Sequence, residues 1–169
     1  MKSIVLGGGC FWCLEATYQL VKGVSLAVPG YAGGKFLSPD WYNIQDHAEV
    51  VKIEYDELDI NLSNILDIFW VIHDPTTLNR QGNDVGSQYR SIILYSDDKQ
   101  FNVIEESLKK ANETWDGKII TEVKKLEKFH EAEEYHHNYF LKNPSQAYCQ
   151  IVINPKISKL KNNFEEYLK

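Results

Sequence analysis

Cys10 and Cys13 share the run Gly7-Gly8-Gly9-Cys10-Phe11-Trp12-Cys13, and this run could do thiol chemistry. A thiolate attacks electrophilic sulfur or carbon once something stabilises its charge. The short apolar run Ile4-Val5-Leu6 leads into the glycines, and an amphipathic helix pattern follows Cys10. Cys10 therefore falls at or just before a helix N-terminus. Unpaired N–H groups and the positive end of the dipole there favour a thiolate. Glycines let the backbone turn sharply and let another group approach the sulfur. Phe11 and Trp12 would be core residues elsewhere; beside a reactive sulfur they are expected to wall a substrate pocket. Glu49 stands between Ala48 and Val50, so part of its surroundings is apolar. Burial raises a carboxyl pKa and suits it to donate a proton.

The elements that must position these groups are read from hydrophobic periodicity. Residues 3–6 read as a strand, and residues 11–21 as a helix with Leu14, Tyr18 and Val21 on one stripe. Residues 24–28 alternate as a strand that stops at Pro29-Gly30, and residues 30–46 form a loop. Residues 48–55 are a strand with Val51, Ile53 and Tyr55 on one side. Residues 62–72 are a helix that turns Ile65, Leu66, Phe69 and Trp70 to the core. A polar loop over 73–87 precedes a strand over 89–95, a helix over 99–112 and a strand over 119–124. The order to Tyr95 is β-α-β-β-α-β. It predicts an α+β fold, a ferredoxin-like split βαβ sandwich with C-terminal additions that reach back to the site. No linker or repeat interrupts the chain, so residues 1–169 are expected to form a single catalytic domain.

Composition narrows the function. The 169 residues are 43% hydrophobic, enough for a core without disulfide staples. Net charge is −6 and the 18 Lys and Arg are scattered, which gives no nucleic-acid footprint. Residues 156–169 mix both signs at helical spacing and read as a solvated helix face. Three cysteines, two of them in a CxxC, argue for redox or metal chemistry in a reducing compartment. The apolar run before Cys10 is too short for a signal-peptide core, and no stretch approaches membrane-spanning length. A soluble, cytoplasmic protein is expected. Zinc is disfavoured, because one CxxC has no second ligand pair and His130, His136 and His137 lack a helical zinc spacing. His136 and Tyr139 are expected on one helix face near Cys149.

Five separated motifs, in order, resemble the peptide methionine sulfoxide reductase A family. They are Gly9-Cys10-Phe11-Trp12-Cys13 with Glu15, Gly30-Tyr31-Ala32-Gly33-Gly34, His47-Ala48-Glu49-Val50, the run from Arg80 to Ser91, and the Ala132 to Tyr139 run leading to Tyr148-Cys149. The likeness extends from Leu6 to about Pro155. It implies the same α+β sandwich and an enzyme that returns methionine S-sulfoxide, free or in proteins, to methionine. Cys10 would attack the sulfoxide sulfur and Glu49 would protonate its oxygen. Asp84 and Tyr89 would form the polar side of the pocket, although a turn residue and a strand aromatic also suit those positions. Cys10 would be left as a sulfenic acid, a second thiol would close a disulfide, and thioredoxin or another dithiol would restore the enzyme. No bound cofactor is implied.

The chain departs from the family pattern twice. Where the family has Pro-Thr-Tyr, this loop is shorter and reads Pro39-Asp40-Trp41-Tyr42. Counting selects Trp41 and residue type selects Tyr42. Tyr42 is preferred because a phenol donates and accepts, whereas an indole only donates. The segment from Asn143 to Cys149 lacks the family's glycine and runs into Ile151-Val152-Ile153, which reads as a strand holding Cys149. Cys149 is the resolving thiol by resemblance. Cys13 is its rival, since a CxxC at a helix start closes with little rearrangement. A CxxC thiol–disulfide oxidoreductase is the competing function, although it gives Glu49 no task; a metal-binding module is the third reading.

Overall fold

The computed structural model describes Met1–Lys169. The chain runs β1 (Lys2–Gly7), α1 (Phe11–Tyr18), β2 (Val24–Ala32), β3 (Ala48–Tyr55) and α2 (Leu62–Ile72). A small hairpin follows, β4 (Arg80–Gln81) and β5 (Asp84–Val85), then β6 (Ile92–Tyr95), α3 (Asp98–Thr114), β7 (Glu122–Lys125) and β8 (His130–Glu131). Two helices close the chain, α4 (Tyr139–Lys142) and α5 (Asn154–Asn163). The fold is α+β. One six-stranded sheet has the order β7-β6-β1-β3-β2-β8. Neighbouring strands are antiparallel except β6 and β7.

Strand alternation sends two sets of side chains to opposite faces. Ile4, Leu6, Val51, Ile53, Tyr55, Tyr31 and Ile93 pack with α1, α2 and α3 in the main core. The other face carries a smaller cluster, Val5, Ala32, Ala48, Val50, Ile92 and Leu94, covered by Leu126 and Phe129. Asn61 caps α2 by accepting from the Asn64 N–H at 2.9 Å, which satisfies one orphan donor of the first turn.

Several sequence boundaries move. The first helix ends at Tyr18, because Val21 leaves it to bridge Leu168. β2 continues past Pro29 to Ala32, since its partners on β3 extend to Ala48 and β8 adds on its other side. Tyr89 lies in a 3₁₀ turn, Ser87–Tyr89, and the strand starts only at Ile92. His136 sits in a 3₁₀ turn, Glu134–His136, and Tyr139 opens the separate helix α4, so they share no helix face. Residues 151–153 are not a strand: Cys149–Ile153 is a π-helical turn that runs directly into α5. No helix is long and apolar enough to cross a membrane.

Candidate active site

The glycine run has a steric cause. A Cβ on Gly8 would lie 2.8 Å from the His73 ring, and Gly9 has φ +90°, a left-handed conformation that favours glycine. His73 backs this turn from the end of α2. Its Nε2 pairs with the Ser91 hydroxyl at 2.8 Å, and burial lowers its pKa to about 3, so it is neutral. The turn delivers Cys10 as the N-cap of α1, at φ −65° and ψ 134°, and the Cys13 N–H donates to its carbonyl at 3.1 Å.

Glu49 reaches the same point from β3. Period-two alternation puts it on the face of Val51 and Ile53, beneath the start of α1. Its Oε1 accepts from the Phe11 N–H at 3.2 Å, and the residue is 1% exposed. Burial raises its pKa to about 8; the Phe11 N–H opposes this and the Asp84 charge adds to it. Cys10 behaves differently from the expectation of a preformed thiolate. Burial and then the Glu49 charge push its pKa well up, and the hydrogen bonds from the Trp12 N–H and the Tyr148 hydroxyl do not outweigh them. The resting Cys10 is a thiol: loss of solvation costs the ionised form more than one helix terminus returns.

An aromatic cluster flanks the sulfur. Phe11 is fully buried against Tyr31, with ring centres 5.6 Å apart, and against Trp41 at 5.8 Å. Trp12 stacks on Tyr139 at 3.6 Å and faces Trp41 at 5.7 Å, and its indole N–H donates to His136 Nδ1 at 3.1 Å. Trp41 is fixed by its own backbone: its N–H donates to Glu133 Oε2 at 3.0 Å, while the Tyr31 hydroxyl donates to Glu133 Oε1 at 2.8 Å. Tyr42 lies outside this cluster. It is 90% exposed, whereas Trp41, the alternative by position, packs within the cluster. The turn at Asp40, whose carboxylate accepts the Tyr42 N–H at 2.9 Å, directs Trp41 inward and the next side chain to solvent.

Cys10 also lines a cavity of about 610 Å³. Cys10, Cys13, Asp84, Tyr148, Ile151 and Lys156 contribute to its lining. The Tyr148 hydroxyl donates to Asp84 Oδ2 at 2.8 Å and lies 3.8 Å from Cys13 Sγ. Tyr89 is half-buried; burial, then the charges of Glu49, Cys10 and Asp84, hold its phenol protonated. Cys149 is fully buried in the main core and lines no part of this cavity. The structure thus brings Cys10, Cys13, Glu49, Asp84, Tyr89, Phe11, Trp12 and Trp41 together; Tyr42 lies outside them, and Cys149 is buried in the core that Cys10 and Cys13 share. No three His, Cys, Asp or Glu side chains converge as metal ligands.

A family model described as peptide methionine sulfoxide reductase matches residues 2–168. The chain belongs to this family. A peptide methionine sulfoxide reductase of Paenarthrobacter aurescens is 49% identical over 99% of both chains. The crystal structure of reduced Mxr1 from Saccharomyces cerevisiae superposes with a TM-score of 0.83 at 36% identity, covering 88% of each chain. Mxr1 in complex with Trx2 is also similar, with a TM-score of 0.61 at 26% identity over 82% of this chain and 84% of that one.

Residues to which the sequence assigned no chemical task hold this cluster together. Glu15 is buried on α1 and accepts from the Asn138 N–H at 2.8 Å and the Tyr139 N–H at 3.3 Å, tying the distant 133–139 segment to the helix that Cys10 opens. His136 and Glu133 then set the aromatic rings. A buried carboxylate two residues after Cys13 was the available signal, since an unpaired charge is not left in a core. Tyr148 was visible only as the neighbour of a cysteine.

Proposed function

We propose that the chain reduces methionine S-sulfoxide, free or in proteins, to methionine by thiol chemistry at Cys10. The observation that carries this reading is the Glu49 carboxyl hydrogen-bonded to the N–H of the residue that follows the thiol. With a pKa of about 8, Glu49 holds its proton at neutral pH. A protonated Glu49 can donate to the sulfoxide oxygen, and it no longer repels negative charge on Cys10. Attack of Cys10 on the sulfoxide sulfur then gives methionine and a Cys10 sulfenic acid. Tyr89, a protonated phenol near the Glu49, Cys10 and Asp84 side chains, is assigned as the second donor to the departing oxygen. The methyl group belongs against the partly buried Trp12, with Trp41 and the fully buried Phe11 packed behind it. The mirror sulfoxide would turn its oxygen onto this apolar wall and leave the polar side unpaired, which accounts for selection of the S epimer.

Cys13 is the first resolving thiol in this reading. It shares the cavity with Cys10 and lies one helical turn away, a separation that a disulfide can span. Cys149 comes second, because its π-helical turn must open before its sulfur can reach the pair. Thioredoxin, the partner in the Mxr1–Trx2 structure, is the reductant that restores the thiols. The strand order β6-β1-β3-β2 supports a ferredoxin-like split βαβ core, and the continuity of the main core across α1 to α5 supports one catalytic domain of 169 residues. The thiol-rich chemistry supports a cytoplasmic setting. Purified protein assayed with dithiothreitol on separated epimers of a methionine sulfoxide peptide should reduce the S form alone. Comparable rates on both, or none on either, would refute the reading.

A further inference from the structure

Lys156 brings a positive charge to the cavity that holds Cys10 and Cys13. It is half-buried on α5, and its Nζ donates to the Ile72 carbonyl at the C-terminal end of α2, 3.1 Å away. Carbonyls of a last helical turn lack intrahelical partners, and the helix end carries negative partial charge. The ammonium is therefore held in place rather than free to sweep through solvent. Around Cys13 stand the Tyr148 hydroxyl, the carboxylates of Asp84 and Glu49, and Lys156. Burial drives the Cys13 thiol up to about 11, and the Lys156 charge is the strongest influence in the opposite direction. The first half-reaction, attack by Cys10 with Glu49 as acid, assigns this cation no task.

We propose that Lys156 is a positioning residue for the second half-reaction, where its anchored ammonium favours the Cys13 thiolate that attacks the Cys10 sulfenic acid. The inference rests on the reading of Cys13 as the first resolving thiol. In that step an S–S bond forms between Cys13 and Cys10 while the S–OH bond of Cys10 breaks. The hydroxide leaves as water with the proton that Cys13 gave up. The Cys13 sulfur is oxidised, the Cys10 sulfur is reduced, and no outside reactant is consumed.

Rapid mixing with one equivalent of methionine S-sulfoxide, without reductant, separates methionine release from loss of free thiols. Lys156→Met should slow thiol loss about tenfold more than methionine release, and Lys156→Arg should restore the ratio. Equal slowing of both phases would mark a merely structural residue and overturn the proposal. A second measurement does not depend on turnover. In a Cys10→Ser, Cys149→Ser background, the pH dependence of Cys13 alkylation by iodoacetamide should move to higher pH when Lys156→Met is added. An unchanged profile would also overturn the proposal. Cys13→Ser alone distinguishes the two failures. If thiol loss keeps its wild-type rate in that variant, the reading of Cys13 is wrong, whatever Lys156 does to the alkylation profile.

Discussion

The Glu49 carboxyl and the Phe11 amide meet at 3.2 Å across 38 residues of sequence. This contact joins the Glu49 carboxyl on β3 to the helix start that carries Cys10. It also holds the carboxyl at a site where burial raises its pKa to about 8.

Glu49→Gln should slow methionine release by roughly 10²–10⁴-fold, the usual scale for a positioned acid. The Phe11 N–H keeps an acceptor in the amide oxygen, so the helix start should persist. A stopped-flow measurement of the methionine burst checks this; a loss under about tenfold would move the proton donor to Tyr89.

The same residue sets a pH dependence of stability. Its folded pKa of about 8 lies above the ordinary 4.5, so the fold holds this proton more tightly than the unfolded chain does. The contribution is fully present below about pH 4.5 and is lost as pH rises through about 8. Urea unfolding of wild type and Glu49→Gln should show wild type losing on the order of a few kcal/mol relative to the variant across that window. Parallel curves would mean that Glu49 is not buried as described.

Trp41 and Tyr42 should separate cleanly. Trp41→Ala removes a ring packed on both Phe11 and Trp12 and should lower kcat/KM by about tenfold or more. Tyr42→Ala, at a side chain 90% exposed, should leave kcat/KM within about twofold of wild type. The opposite ranking would restore the phenol to the site.

Cys149→Ser should still form a Cys10–Cys13 disulfide after one equivalent of substrate, and should retain turnover with dithiothreitol. Peptide mass spectrometry checks the pairing. A bond from Cys10 directly to Cys149 in a protein with Cys13 intact would reverse the order of the two thiols.

The sheet and its faces were legible because alternation is a local pattern. Val51, Ile53 and Tyr55 lie on the face that their spacing implies, and Glu49 joins them by the same period. The motif around Cys10 was equally legible, since Gly8 and Gly9 answer a close ring and a left-handed turn. The segment after Cys149 misled because Ile151-Val152-Ile153 has strand propensity, which packing overrides. Cys149, Ile153, Ile157 and Leu160 are buried at helical spacing, and that longer pattern was the better signal. The choice between Trp41 and Tyr42 had no period to settle it, as the loop contains no repeating face. The charge state of Cys10 depended on burial by distant residues, which no local motif carries.

The most direct test of the account is the methionine burst of Cys10→Ser. Wild type mixed with an excess of a methionine S-sulfoxide peptide and no reductant should release methionine in a burst that stops once its thiols are oxidised. Cys10→Ser, checked for an intact fold by circular dichroism, should release none, although Cys13, Cys149 and Glu49 all remain. A burst from Cys10→Ser that matches wild type would contradict the central claim that this sulfur attacks the sulfoxide.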